Sequence, residues 1–192
     1  RIKGIMFIIA SALGFAMMSA FVKLAGDLPS FQKVFFRNLV SAIIAFWLII
    51  KHKGSLTGKK ENLKVLLYRS IFGTLGVIFN YYAIDKLMLS DANMLNKMSP
   101  FLVVIFCAIA LKEKINVKQI GAIIIAFIGA LFIIKPTFSV EVIPYLGGIA
   151  GAVFAAMAYT CLRVLGDRED YYTIVFFFSV FSLVTVGPIA FA

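Results

Sequence analysis

The sequence predicts an all-α integral membrane protein, on three observations: an apolar composition, long uncharged runs, and an uneven distribution of basic charge. Of 192 residues, 62% are hydrophobic and only 15% charged, with 20 Phe and a mean hydropathy of +1.00, whereas a soluble domain is about 25% charged. So few charges cannot cover a water-soluble globule of this apolarity, and lipid must solvate the remainder. Disorder is excluded by the same composition. The runs lack the alternation of a lipid-facing β-barrel.

The elements follow in order from the uncharged runs, since a span needs about 20 mostly apolar residues. Gly4 to Val22, Val142 to Leu162 and Tyr171 to Ala192 qualify unaided, and Gln119 to Ile134 qualifies with Lys118 and Lys135 snorkelling at its ends. Asn38 to Ile50, Ser70 to Ile84 and Met98 to Leu111 reach spanning length only by taking in Arg37, Arg69 and Lys97. Seven helices are expected, roughly at 4–23, 31–50, 65–84, 92–111, 118–135, 144–164 and 171–192. The first is too long for a signal-peptide core and has no cleavage site after it. The chain starts at Arg1 and stops inside an apolar run, so a longer protein is expected.

Charge sets the orientation. With the N-terminus inside, the inner segments hold twelve basic residues: Arg1, Lys3, Lys51, Lys53, Lys59, Lys60, Lys64, Lys112, Lys114, Lys118, Arg163 and Arg168. The outer loops hold four, Lys23, Lys33, Lys86 and Lys135, so the positive-inside rule predicts a cytoplasmic N-terminus in a multi-pass plasma-membrane protein. The net charge of +10 is thereby topological and calls for no nucleic acid. Cys107 and Cys161 read as free thiols packed inside spans, and His52 as a solvated loop residue.

Sliding the chain on itself by 140 residues pairs Ala12 with Ala152, Ala16 with Ala156, Lys23 with Arg163, and Gly26-Asp27 with Gly166-Asp167. A repeat of five helices, being odd, places its second copy upside down, an arrangement common in secondary transporters. Phe35-Phe36-Arg37, Arg69-Ser-Ile-Phe-Gly73, Pro100, Leu111-Lys-Glu113, and a last helix with Gly121, Gly129 and Lys135-Pro136 follow in an order that resembles one EamA repeat. The EamA family belongs to the drug/metabolite transporter superfamily. The resemblance covers a first repeat at 4–136 and the start of a second, inverted repeat at 144–192. It implies inverted five-helix repeats, seven helices present here of an expected ten, around a central cavity. It further implies a secondary carrier that moves a small organic metabolite, such as an amino acid or related compound, outward across a prokaryotic plasma membrane. The second repeat departs from the first in having Phe177 where the offset would put a counterpart of Arg37.

Ionisable groups inside a membrane cost about 2.5 kcal/mol or more each and mark functional sites. Arg37 and Lys97 each lie about six residues, or roughly 9 Å, from the outer end of their helices and so share a depth. No Asp or Glu lies deep in any span. A substrate carboxylate could supply the missing charge, while Asp91 or helix-end carbonyls are the structural alternative. Arg69, close to the basic loop, is expected to snorkel to the headgroups. Asn93 shares a helix face with Lys97, with Asn96 beside them and the kinking Pro100 below. Asn80 and Tyr81 lie at a comparable level, where Tyr81 and Tyr82 could equally belong to an interfacial belt. The expected cavity residues are Arg37, Lys97, Asn93, Asn80 and Tyr81.

Small residues at four-residue spacing (Ala12, Ala16 and Ala20; Ala122, Ala126 and Ala130; Gly147, Gly151 and Ala155) allow close helix packing. No phosphate loop, metal motif or intramembrane nucleophile with a base is present, so no catalytic residues, metal or cofactor are expected. With no deep carboxylate to relay protons, facilitated diffusion and exchange stay open. The expected partners are a small-molecule substrate and the lipid bilayer, with a homodimer open and no nucleic acid. The alternatives are an uptake carrier for a nucleoside-bearing or cationic metabolite, an intramembrane enzyme, and a non-transporting polytopic scaffold.

Overall fold

The structure is a computed structural model, and it describes residues 2–26, 28–111, 117, 120, 121, 123–125, 128, 129 and 142–191. Among them are seven α-helices: α1 (Ile2–Leu24), α2 (Ser30–His52), α3 (Leu63–Lys86), α4 (Leu89–Asn96), α5 (Ser99–Leu111), α6 (Val142–Leu165) and α7 (Tyr171–Ala190). Short 3-10 turns at Lys60–Asn62 and Gly166–Arg168 lead into α3 and follow α6. Six helical segments among the described residues are long and apolar enough to cross a membrane, with α4 and α5 together forming one of them. The expected helix at 118–135, with Ala122, Ala126 and Ala130, lies largely outside the described residues, as do Asp27, Lys112, Glu113, Lys114, Lys118 and Lys135.

The fourth expected span, 92–111, starts earlier and is broken at Lys97–Met98. Pro100 explains the break. It has no N–H to give the carbonyl of Asn96, and its ring would collide with that carbonyl in a continuous helix. The Ser99 hydroxyl donates to the Asn96 carbonyl instead, at 2.8 Å. At the end of α2, Lys53 takes a left-handed conformation (φ 53°). Its N–H bonds the carbonyl of Ile50, while that of Gly54 bonds Ile49 at 2.9 Å, the paired pattern that closes a helix end. A side chain at position 54 would run into the Tyr172 ring.

Two antiparallel helix pairs form the centre. In the first, α3 meets α6 with almost no side chain between the backbones. A Cβ on Gly76 would lie 3.0 Å from the Ala155 nitrogen, one on Gly151 3.1 Å from the Asn80 nitrogen, and one on Gly147 3.0 Å from the Tyr82 ring. Lipid offers no hydrophobic gain for helix association, so close van der Waals contact between small residues must hold this crossing. The stripe Gly147, Gly151 and Ala155 therefore faces α3. Ala12 and Ala16 of α1 are exposed among the described residues. In the second pair α2 lies along α7: Gln32 donates to the Ala190 carbonyl at 3.1 Å at one end, and His52, exposed, stacks on Tyr172 at the other. Buried Asn38 bonds the Ser182 hydroxyl at 2.8 Å between them.

Polar ties fasten both ends. Near the basic loop, Glu169 accepts from the Lys59 backbone N–H (2.7 Å) and the Asn62 amide (2.9 Å). At the opposite end, Lys23 donates to the carbonyls of Ile84 (2.8 Å), Asp85 (3.3 Å) and Leu87 (2.9 Å), placing a cation where the α3 dipole is negative. Lys33 pairs with Asp85 at 2.6 Å and donates to the Gly26 carbonyl at 2.9 Å, while Ser30 donates to the other Asp85 oxygen. These two lysines therefore also hold the end of α3 together. Cys107 and Cys161 are free thiols, the first buried and the second half-buried.

Two outcomes test this packing. Gly76→Val overpacks the α3–α6 crossing, which costs about 1–3 kcal/mol, and its thermal midpoint in detergent should fall by roughly 3–10 °C. Asp85→Asn leaves the Lys33 ammonium buried without its counter-charge, which costs about 3–5 kcal/mol, and should lower the midpoint further than Lys33→Met in the same assay.

Candidate functional site

A cavity of about 100 Å³ opens along the middle of α3, from Arg69 through Gly73, Gly76, Val77 and Asn80 to Tyr81. Its other walls are Phe15 and Met18 of α1, Arg37 of α2, Asn96 at the end of α4, Ala155, Ala158 and Tyr159 of α6, and Phe178 of α7. This is space for a solute rather than for one or two waters. Two glycines of α3, Gly73 and Gly76, and two alanines of α6, Ala155 and Ala158, leave room beside the crossing, and the break after α4 turns Asn96 into it.

Arg37, Asn80 and Tyr81, all expected from the sequence, come together here, and Tyr81 is buried in the core rather than set in an interfacial belt. Lys97 and Asn93 are not among the lining residues. Asn96 and Lys97 are consecutive, and one residue is about 100° around a helix. The turn that aims Asn96 at the cavity therefore sends Lys97 to an exposed position. Asp91, one of the structural alternatives for the missing negative charge, is buried and accepts from the hydroxyls of Tyr145 and Ser90.

The largest difference concerns Arg69. Its side chain runs toward the middle of α3, beside Gly73 one turn further along, and not toward the basic loop. A Cβ on Gly73 would collide with Arg69 Nη1 and approach the Phe178 ring. The guanidinium carbon lies 4.3 Å from the centre of that ring. The absent side chain at 73 and the aromatic face at 178 give the guanidinium a seat that competes with snorkelling. The pattern Arg-x-x-x-Gly was the readable sign of it.

The charge of this site is one-sided. Arg37 Nη1 donates to the Asn38 side-chain oxygen at 3.3 Å, a neutral partner. Arg69 Nε and Nη1 are buried with no hydrogen-bond partner among the described residues, and no Asp or Glu is among the residues that line the cavity. A desolvated cation–π contact returns about 2 kcal/mol, whereas each unsatisfied buried donor costs about 1–3 kcal/mol, and more when charged. Phe178 alone does not balance Arg69. The arrangement is chemically suited to receive an anionic group, with the Asn80 and Asn96 amides available for neutral polar atoms.

The class that fold and site define is a multi-pass helical membrane protein with a polar, cationic cavity between its helices. The profile of the EamA-like transporter family matches residues 2–135, and the chain belongs to that family, within the drug/metabolite transporter superfamily. It is 33% identical over 189 residues to the pseudopaline exporter CntI of Pseudomonas aeruginosa PAO1, covering 97% of this chain and 66% of that protein. It is 27% identical over 194 residues to solute carrier family 35 member G1 of Homo sapiens, covering 94% of this chain and 53% of that one. An uncharacterized transporter of Helicobacter pylori J99 is 28% identical over 172 residues, covering 88% and 57%. The chain thus spans between about half and two thirds of the length of these curated relatives. No solved structure matches it.

The Arg69 seat can be tested through Gly73. Gly73→Ala should displace the guanidinium and lower the initial transport rate of the full-length protein at least fivefold in proteoliposomes. Gly14→Ala, whose added methyl meets nothing within 4 Å, should leave the rate within twofold of the wild type.

Proposed function

We propose that this protein is a secondary carrier that exports a small organic metabolite bearing a carboxylate, such as an amino acid or a related compound, across a prokaryotic plasma membrane. The observation that carries the reading is the pairing of Arg37 and Arg69 at one cavity that has two amides and no acid among its described lining residues. In this reading Arg37 holds the carboxylate, and Asn80, Asn96 and Tyr81 face the rest of the solute. The reading assigns no catalytic step to any residue.

The topology is part of the proposal. Residues 4–136 form a first five-helix repeat and 144–192 begin a second, inverted one, with the N-terminus cytoplasmic. The Gly pair of the 140-residue offset supports this: Gly26 and Gly166 both have positive φ, 61° and 45°, just beyond α1 and α6. The twelve-to-four distribution of basic residues supports the orientation. That one relative is named an exporter supports the direction. Two cavity cations speak against a cationic solute in an uptake carrier.

The test is a flux assay on the full-length protein in proteoliposomes with pooled labelled metabolites, run with and without a proton gradient. Carboxylate-bearing solutes should move, and Arg37→Ala should lower their flux at least tenfold while membrane insertion stays intact. Lys97→Ala should cost less than threefold. Normal flux in Arg37→Ala would sink the carboxylate reading, and no flux of any solute would favour a scaffold.

A further inference from the structure

Arg69 differs from Arg37 in how it is presented. Phe178 covers one face of its guanidinium at 4.3 Å, Gly73 makes room for Nη1, and the Nε and Nη1 hydrogens are buried at the cavity without a partner among the described residues. A guanidinium is a planar fork whose edges match two oxygens of a carboxylate or a phosphate. Stacking one face on a ring leaves the guanidinium to meet a solute through its edges, and Arg69 lines the cavity. Arg37 meanwhile has a neutral neighbour, Asn38, whose amide is fixed by Ser182. The described residues of the cavity therefore supply two positive charges and no negative one, and a solute with a single negative charge balances only half of that.

We infer that the cavity takes a small organic solute carrying two negative charges, with Arg69 as its second anion ligand beside Arg37 and Phe178 as the positioning residue for Arg69. The inference rests on the reading that this cavity binds a carboxylate-bearing solute, and adds the charge of that solute and the residue that reads it. The two charges can come from two carboxylates or from one phosphomonoester, which share the chemistry that an arginine edge recognises.

The test measures the thermal midpoint of the purified full-length protein against rising concentrations of glutarate, glycerol 3-phosphate and pentanoate, since a ligand of the folded state raises the midpoint in proportion to its binding. Glutarate or glycerol 3-phosphate should act at a concentration at least tenfold below pentanoate, and whichever does so identifies the source of the charge. Arg69→Gln should reduce that preference to within twofold, and Arg69→Lys, which keeps the charge but loses the edge, should retain only part of it. Phe178→Leu should weaken the preference severalfold while Phe178→Tyr preserves it, which keeps the inference testable if Arg69→Gln does not fold. A response to pentanoate that depends on Arg37, with no preference for either dianion, overturns the two-charge inference and leaves the carboxylate reading standing. A dianion preference that survives in both Arg69→Gln and Phe178→Leu overturns the role of Arg69. No response to any of the three acids overturns both readings.

Discussion

Keeping two guanidinium groups inside a membrane-spanning bundle is the constraint around which the centre of this molecule is organised. A cation in hydrocarbon is too costly to leave uncompensated, and the compensation visible at Arg37 and Arg69 is partial: a neutral amide for one, an aromatic face for the other. Asp85 and Asp91 have other work. Asp85 joins Lys33 and Ser30 at the end of α3, and Asp91 ties α4 to Tyr145 of α6. The cavity consequently keeps a positive field among its described residues, and a solute entering it would make its strongest contacts with these arginines.

Room for that field comes from the crossing of α3 and α6. Gly76 and Gly151 bring the two backbones to touching distance, which holds the pair together without a hydrophobic drive. On the same helix Gly73 opens the bay that receives Arg69. One run of small residues on α3 therefore does two things: it sets the packing of the bundle and shapes the binding surface. The break at Lys97–Met98 adds a third element by bringing the end of α4, with Asn96, to the same space.

Much of the fold was legible because spanning helices are written in long apolar runs. The ends of α1, α2, α3, α6 and α7 fall within a few residues of those expected, and Pro100 marked the place where the fourth span divides. The site was legible in part. Arg37, Asn80 and Tyr81 could be found from their depth, which the sequence encodes linearly. The facing of Lys97 could not, because one residue of helical rotation separates it from Asn96 and the break resets the phase. Arg69 was misjudged because distance to the helix end suggests snorkelling, whereas its direction depends on Phe178, more than a hundred residues away in sequence. Lys23 and Lys33 illustrate the same limit: a charge count sees topology and misses that these side chains also close the end of α3.

The most direct measurement of the central claim, that Arg37 and Arg69 together receive an anionic solute, is the NMR response of their side-chain Nε–H groups in the full-length protein labelled with ¹⁵N-arginine. Resonances assigned by Arg37→Lys and Arg69→Lys should both shift, saturably and at the same concentration, when the transported acid is added. If that acid saturates transport while neither resonance moves, the arginines do not form the binding site and the account of the cavity is wrong.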